Sequence, residues 1–260
     1  MPVMVCMDGF ILTHAYERVD VPSQEQVDAF LPAYVPRQSV DPDDPVTIGA
    51  MVGPEAFMEV RYLAHAKQIE ALELIPELAA DFAKVFGRQS GGLLHPYRCE
   101  DAETIVVALG SVNGTIKDVI DDLRSDGVKI GSVSLCSFRP FPTAALGKVL
   151  GKASRVITIE KSLSVGIGGN LSHNLRMALP GRDTKVYTVI AGLGGRSITR
   201  ASLKKTFIAA MGGQLEPLSF MDLNTGVIER HLERERAARR TGPAAEAILR
   251  DIGPKASAVI

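Results

Sequence analysis

From about residue 102 onward, apolar positions fall into two alternating patterns. The stretch "ETIVVALG" (103–110) is a short continuous apolar run, the form of a strand buried on both faces of a parallel sheet. It is followed by "GTIKDVIDDLRSDG" (114–127), with Ile116, Val119, Ile120 and Leu123 at helical spacing and Gly127 at the stop. The same alternation recurs in "VKIGSVSLCSF" then "TAALGKVLGKA", "SRVITIEK" then "NLSHNLRMAL", and "KVYTVIAGLG" then "RASLKKTFIAAM". Thr199 is placed to cap the last of these helices. Four strands alternating with four helices predict an α/β fold, an open and mainly parallel sheet with helices on both faces and right-handed crossovers.

The flanks read differently. Residues 1–53 are rich in proline and acid, as in "VDVPSQEQVDAFLPAYVPRQSVDPDDP", and sustain no period, which predicts an irregular arm with helices. In 54–95 the helical period appears: Leu78, Phe82, Val85 and Phe86 share one stripe, Gly87 is a C-cap, and Pro76 should start a new helix or kink one. "GRQSGGLLHPY" (87–97) reads as a loop. Residues 96–221 hold the sheet. From 222 to 260, "IERHLERERAARR" predicts a charged helical extension laced with i,i+4 pairs, with a role across a partner subunit as the alternative.

Composition removes several function classes. A net charge of −1 gives no electrostatic case for nucleic acid or an anionic membrane. No apolar run reaches the roughly 18–20 residues of a spanning helix, and "MPVMVCMDGF" does not have the layout of a signal peptide, so a cytoplasmic protein is expected. Cys6, Cys99 and Cys136 are odd in number and far apart, so each reads most simply as a small buried apolar residue.

Candidate chemistry gathers where strands end, since ligands of open α/β sheets collect at the carboxyl ends of strands. That rule puts Ser111, Arg139, Glu160, Lys161 and Arg196 on one edge. "VGIGGN" (165–170), with Gly168 and Gly169 opening a helix, could admit a phosphate to backbone N–H groups, or could simply pack helix on sheet. It is not the G-x-G-x-x-G pattern of dinucleotide sites. In "SFRPFP" (137–142), Arg139 and Phe141 are stiffened between prolines, as for a surface that meets a partner. Among the histidines, His65 and His173 fall in helices and His95 in a loop. His14, in "DGFILTHAYE", stands in the polar arm, but one imidazole specifies no reaction. No metal spacing and no nucleophile elbow appear.

Four strings, "PVMVCMDGFILTHAYERVDVPSQEQVDAFLP", "YRCEDAETIVVALGSVNGTIKDVIDDLR", "SLCSFRPFP" and "IAGLGGRSIT", together resemble the α subunit of the pyruvate:ferredoxin oxidoreductases, in order from about residue 2 to about 211. The resemblance implies that 102–211 is the transketolase C-terminal-like domain II and that 1–53 is the end of a pyrimidine-binding domain with its linker. It implies a thiamine-diphosphate enzyme that oxidatively decarboxylates a 2-oxoacid, pyruvate by the "RPFP" turn, to acyl-CoA and CO2 and reduces ferredoxin. Thiamine diphosphate, Mg2+ and iron–sulfur clusters belong to the complete complex. No cofactor residue carries over to a numbered position here, so none is expected to bind to this chain alone. The implied partners are the β, γ and δ subunits or fused equivalents, ferredoxin, CoA, and a separately encoded pyrimidine-binding domain if the subunit is split. Arg139 and Phe141 become candidate interface contacts. The alternatives are a non-catalytic α/β interaction module or truncated fragment, and a stand-alone nucleotide-binding protein.

Overall fold

The computed structural model describes residues 2–9, 11–36, 39–45, 47–179, 181, 183–237, 248–249 and 252. The chain divides into two compact units, Met1–Ser219 and Phe220–Ile260.

In the first unit, β2 (Thr104–Ala108) is central. It pairs in parallel with β3 (Ile130–Leu135) on one side and β4 (Arg155–Glu160) on the other, and β4 pairs in parallel with β5 (Lys185–Ile190). The short β1 (Leu94–Tyr97) closes the β3 edge in antiparallel, with Pro96 opposite Val133. Beyond β5 the sheet continues with β6 (Leu218–Phe220). The expected loop at 87–97 is therefore corrected: its second half is an edge strand, and His95 lies in it.

Each crossover is a helix: α4 (Val112–Ser125), α5 (Thr143–Leu150) and α6 (Asn170–Met177), with α7 (Arg200–Met211) after β5. Chain progression reverses after β3, so right-handed crossovers put α4 on one face and α5 and α6 on the other. The packing agrees, because α4 meets α7 while α5 meets α6. Alternation along β2 serves both layers: Ile105 and Val107 join Leu146, Leu150, Leu171 and Leu175 in one core cluster. The spacing-derived face of α4 is buried at Ile116, Val119, Ile120 and Leu123, and Phe207 of α7 is fully enclosed. Thr199 caps α7 by accepting the Ser202 N–H at 3.1 Å, as its position predicts.

Before the sheet come α1 (Ile11–His14), α2 (Gln24–Phe30) and α3 (Phe57–Phe86). Ser23 and Gln26 form a reciprocal capping box on α2. α3 is one continuous 30-residue helix through Pro76, which does not start a new one. Gly87 ends it in the left-handed conformation, φ 67°. Phe30 of α2 packs edge-on against Phe82 and Phe86, so the C-terminal half of α3 has a partner. Along its N-terminal half, Phe57, Met58, Val60, Tyr62 and Leu63 are exposed.

In the second unit, α8 (Thr225–Ala237) carries the expected i,i+4 pairing, His231 with Glu235 at 3.1 Å. The rest of the charged tail lies almost wholly outside the described residues. The cysteines depart from expectation: Cys6 and Cys136 are exposed, and Cys99 is half-buried and donates to Ser132 O. Only Cys99 touches the core, packing against its edge. Among the described residues no helix is long and apolar enough to cross a membrane.

Candidate functional site

Because the strand order reverses at β2, the carboxyl ends of β2 and β4 flank the topological switch point, where open α/β sheets leave a crevice for ligands. Three residues meet there. Gly110 turns the chain out of β2 with φ 76°, Ser111 opens α4, and Lys161 follows β4. The crevice is taken by Asp8 from the N-terminal arm. Its carboxylate accepts the Ser111 N–H at 2.6 Å and pairs with Lys161 Nζ at 3.1 Å. Lys161 also reaches Ser111 Oγ at 3.4 Å.

A side chain at Gly110 would put its Cβ 2.8 Å from the Asp8 carboxylate, so glycine is required for both the turn and the approach. A carboxylate at a helix N-terminus also complements the partial positive charge there. Partial burial pushes the Asp8 carboxyl up, but the Ser111 hydrogen bonds and the Lys161 ammonium outweigh that and hold it below its ordinary range.

The second helix opening at this edge is closed in the same way from within. Glu160, buried at the end of β4, accepts the N–H groups of Leu171 (2.7 Å) and Ser172 (2.9 Å) in the first turn of α6. Gly169 makes this possible, since a Cβ there would lie 2.0 Å from Glu160 Oε1. Gly168, φ 116°, closes a tight turn in which Ser164 and Gly168 exchange backbone hydrogen bonds of 2.7 and 2.8 Å. The glycines of "VGIGGN" thus pack helix against sheet, and the phosphate reading fails because a buried carboxylate already holds those donors.

Phe141 turns inward, whereas Arg139 stays exposed and is held against its own fold. The guanidinium of Arg139 lies over the Phe138 ring at 4.5 Å and donates to Phe138 O and, at 2.9 Å, to Asn174 Oδ1 of α6. Phe141 is half-buried against the core and edge-on to Phe138. Arg196 is exposed beyond β5 in the turn before α7. His14 is exposed in α1, with Thr13 Oγ1 3.3 Å from its Nδ1. The structure gathers Glu160, Lys161, Gly168 and Gly169 around the ends of β4 and α6, and does not join His14 to them.

The residue that sequence reading missed is Asp8. It lies 103 positions from Ser111, and no local spacing announces such a pair. Among the described residues no three His, Cys, Asp or Glu side chains could jointly hold a metal.

Two stretches match known families: residues 102–203 match "Pyruvate:ferredoxin oxidoreductase core domain II", and residues 1–79 match "Pyruvate flavodoxin/ferredoxin oxidoreductase, thiamine diP-bdg". "Pyruvate synthase subunit PorA" of Methanothermobacter thermautotrophicus is 42% identical over 205 residues, covering 79% of this chain and 53% of that protein. The subunit of the same name from Methanosarcina barkeri is 40% identical over 233 residues, 86% and 57% of the two chains. "Ketoisovalerate oxidoreductase subunit VorA" of Pyrococcus abyssi is 32% identical over 207 residues, 78% and 52%. The chain spans about half the length of these curated relatives. With the two families matched in order along it and about two fifths of aligned residues shared with PorA subunits, the chain belongs to the α-type subunits of the pyruvate:ferredoxin oxidoreductase family.

Proposed function

We propose that this chain works as part of a thiamine-diphosphate-dependent 2-oxoacid:ferredoxin oxidoreductase, with pyruvate as the oxoacid. The complex converts pyruvate and CoA to acetyl-CoA and CO2 and passes the electrons to ferredoxin. Within it, the chain is an assembly element that holds the arm of residues 1–79 against the sheet domain.

The observation that carries this reading is an imbalance of burial. The sheet domain has a complete core, whereas Val3, Met4, Val5, Met58, Tyr62 and Leu63 face outward within the stretch that matches the thiamine-diphosphate-binding family. An apolar surface of that kind marks a protein partner. The partners in this reading are the β, γ and δ subunits or their fused equivalents, with the rest of the pyrimidine-binding domain supplied by a separate polypeptide if the subunit is split. Three free cysteines fit a reducing, cytoplasmic setting.

Thiamine diphosphate supplies the carbanion stabilisation that such decarboxylations need. The residues described here do not fit it. The helix openings of α4 and α6 are filled by the Asp8 and Glu160 carboxylates, which would repel a diphosphate. Nor do the described residues supply a donor set for Mg2+ or a cluster of cysteines for iron–sulfur. In this reading the cofactors are held by residues other than those described here.

The test is pyruvate- and CoA-dependent reduction of ferredoxin by the complex isolated through a tag on this chain. Activity in the complex and none in the separated chain is expected. An isolated complex that binds this chain but turns over no 2-oxoacid would overturn the reading.

A further inference from the structure

The turn that follows β4 breaks a local rule. Tight turns are built mostly of glycine and small polar residues, yet the tip of "SVGIG" (164–168) carries Val165 and Ile167, 91% and 66% exposed. Two β-branched aliphatics are spent there on a position that adds little to the core. The turn is nonetheless held firmly. Ser164 and Gly168 are bridged through their backbones, and the Ser164 hydroxyl donates to Asn170 Oδ1. Gly168 packs so closely that a Cβ there would lie 3.3 Å from the Leu218 side chain. β4 and β5 run in register up to Glu160 and Ile190, so the next turn, with Leu193 exposed, starts about one strand spacing away.

A short chain of hydrogen bonds ties this tip to a cation. Asn170 opens α6, and its carbonyl accepts the Asn174 side-chain amide at 2.7 Å. Asn174 Oδ1 in turn accepts Arg139 at 2.9 Å. Of the five N–H groups on that guanidinium, one goes to Asn174 and one to Phe138 O, both neutral acceptors. Glu160 and Asp8, carboxylates at this same end of the sheet, are engaged with the α6 N–H groups and with Lys161. The surface thus joins a stiff aliphatic tip to a stiff, exposed positive charge that no carboxylate of the described residues pairs with.

We infer that the 164–168 turn and Arg139 form a docking surface for another subunit of the complex, one that presents an apolar pocket rimmed by carboxylates. The identity of that complex rests on the function proposed above. Charge complementarity selects the occupant, since the unanswered guanidinium calls for an acidic rim. A second copy of this chain, meeting it about a two-fold axis, would set the same basic surface against itself. Because the turn and Arg139 are already fixed, docking orders little that was loose, and a stacked arginine is a common interface anchor.

The experiment compares hydroxyl-radical labelling of the Val165 and Ile167 side chains in the tagged complex, isolated anaerobically from its own source, and in the separated chain. Labelling about tenfold slower in the complex is expected. The double change Val165→Ser, Ile167→Ser and the single change Arg139→Gln should each weaken the docked subunit about tenfold. Arg139→Gln should also flatten the salt dependence of association, and Arg139→Lys should keep it. Amide exchange from β2 and β4 in each variant confirms that the sheet domain is folded. Equal labelling in the separated chain and in an intact, active complex overturns the docking surface and leaves the proposed function standing. Protection by a second copy alone, or an association that Arg139→Gln leaves unchanged, overturns the assigned occupant. A complex that protects the turn but turns over no 2-oxoacid overturns the function and leaves the surface standing.

Discussion

The sheet domain and the arm that precedes it carry similar apolar residues and treat them in opposite ways. Between 102 and 211, Ile105, Val107, Ile116, Leu146, Ile157, Leu175 and Phe207 lie within a few per cent of complete burial. Between 2 and 74, Val3, Met4, Val5, Met58, Tyr62 and Leu63 lie mostly in the open. One region contains the layers that cover its own strands, and the other leaves its apolar side chains uncovered. A helix such as the N-terminal half of α3, apolar around much of its circumference, is stable where it is surrounded. In the function proposed above, the contrast separates what this chain buries itself from what it offers to an assembly.

The largest effect should come from the closed region. Phe207→Ala opens a cavity in a core with no slack and should cost about 3–5 kcal/mol, read from urea unfolding followed by circular dichroism. A Gly169→Ala change comes next. Its Cβ would drive the Glu160 carboxylate off the α6 N–H groups, and a loss of about 3 kcal/mol is expected in the same assay.

At the seam between the regions, Asp8→Asn gives up the Lys161 pair and a charged hydrogen bond, and about 1–2 kcal/mol of arm attachment with it. Limited proteolysis should cut the arm faster while leaving the sheet domain intact. The seam also has a pH signature. The folded pKa of Asp8 lies below its ordinary 3.8, so its contribution is full above that value and fades as pH falls through the lower folded value. Arm release measured by hydrogen exchange should therefore rise at acid pH, and the Asp8→Asn variant should not show that rise. The smallest effect should be Met58→Ala, within about 0.5 kcal/mol in the separated chain, because nothing there covers it. In the complex the same change should weaken subunit association. A stability loss in the separated chain as large as that of Phe207→Ala would erase the distinction between the regions.

How much of this could be read from residues alone depended on distance along the chain. The α4 stripe, the Gly87 and Thr199 caps and the strand–helix alternation are written within single turns or runs, and each forms where its pattern lies. β1 escaped because Pro96, with no N–H to give, argues against a strand, and only an edge with its neighbour on one side tolerates it. The α2 capping box was present locally in "SQEQ", but Pro22 and Pro32 close around it obscured a seven-residue helix. Glu160 and Lys161 were rightly placed at the ends of strands. Their work was hidden, since one turns inward to cap α6 and the other meets a carboxylate from the far end of the chain. Two prolines made Arg139 and Phe141 read alike as outward contacts, but only Arg139 is exposed, and Phe141 packs against the core. The rings of Phe138 and Phe141 and the Asn174 amide absorb much of that rigidity within the fold.

The most direct test of the central claim, that the arm needs a partner polypeptide which the sheet domain does not, is the native mass and cofactor content of the tagged chain purified gently and anaerobically from its own source. The account predicts a particle several times the 27.9 kDa of this chain, containing thiamine diphosphate and iron. A particle of about that single-chain mass, with neither cofactor, would contradict it.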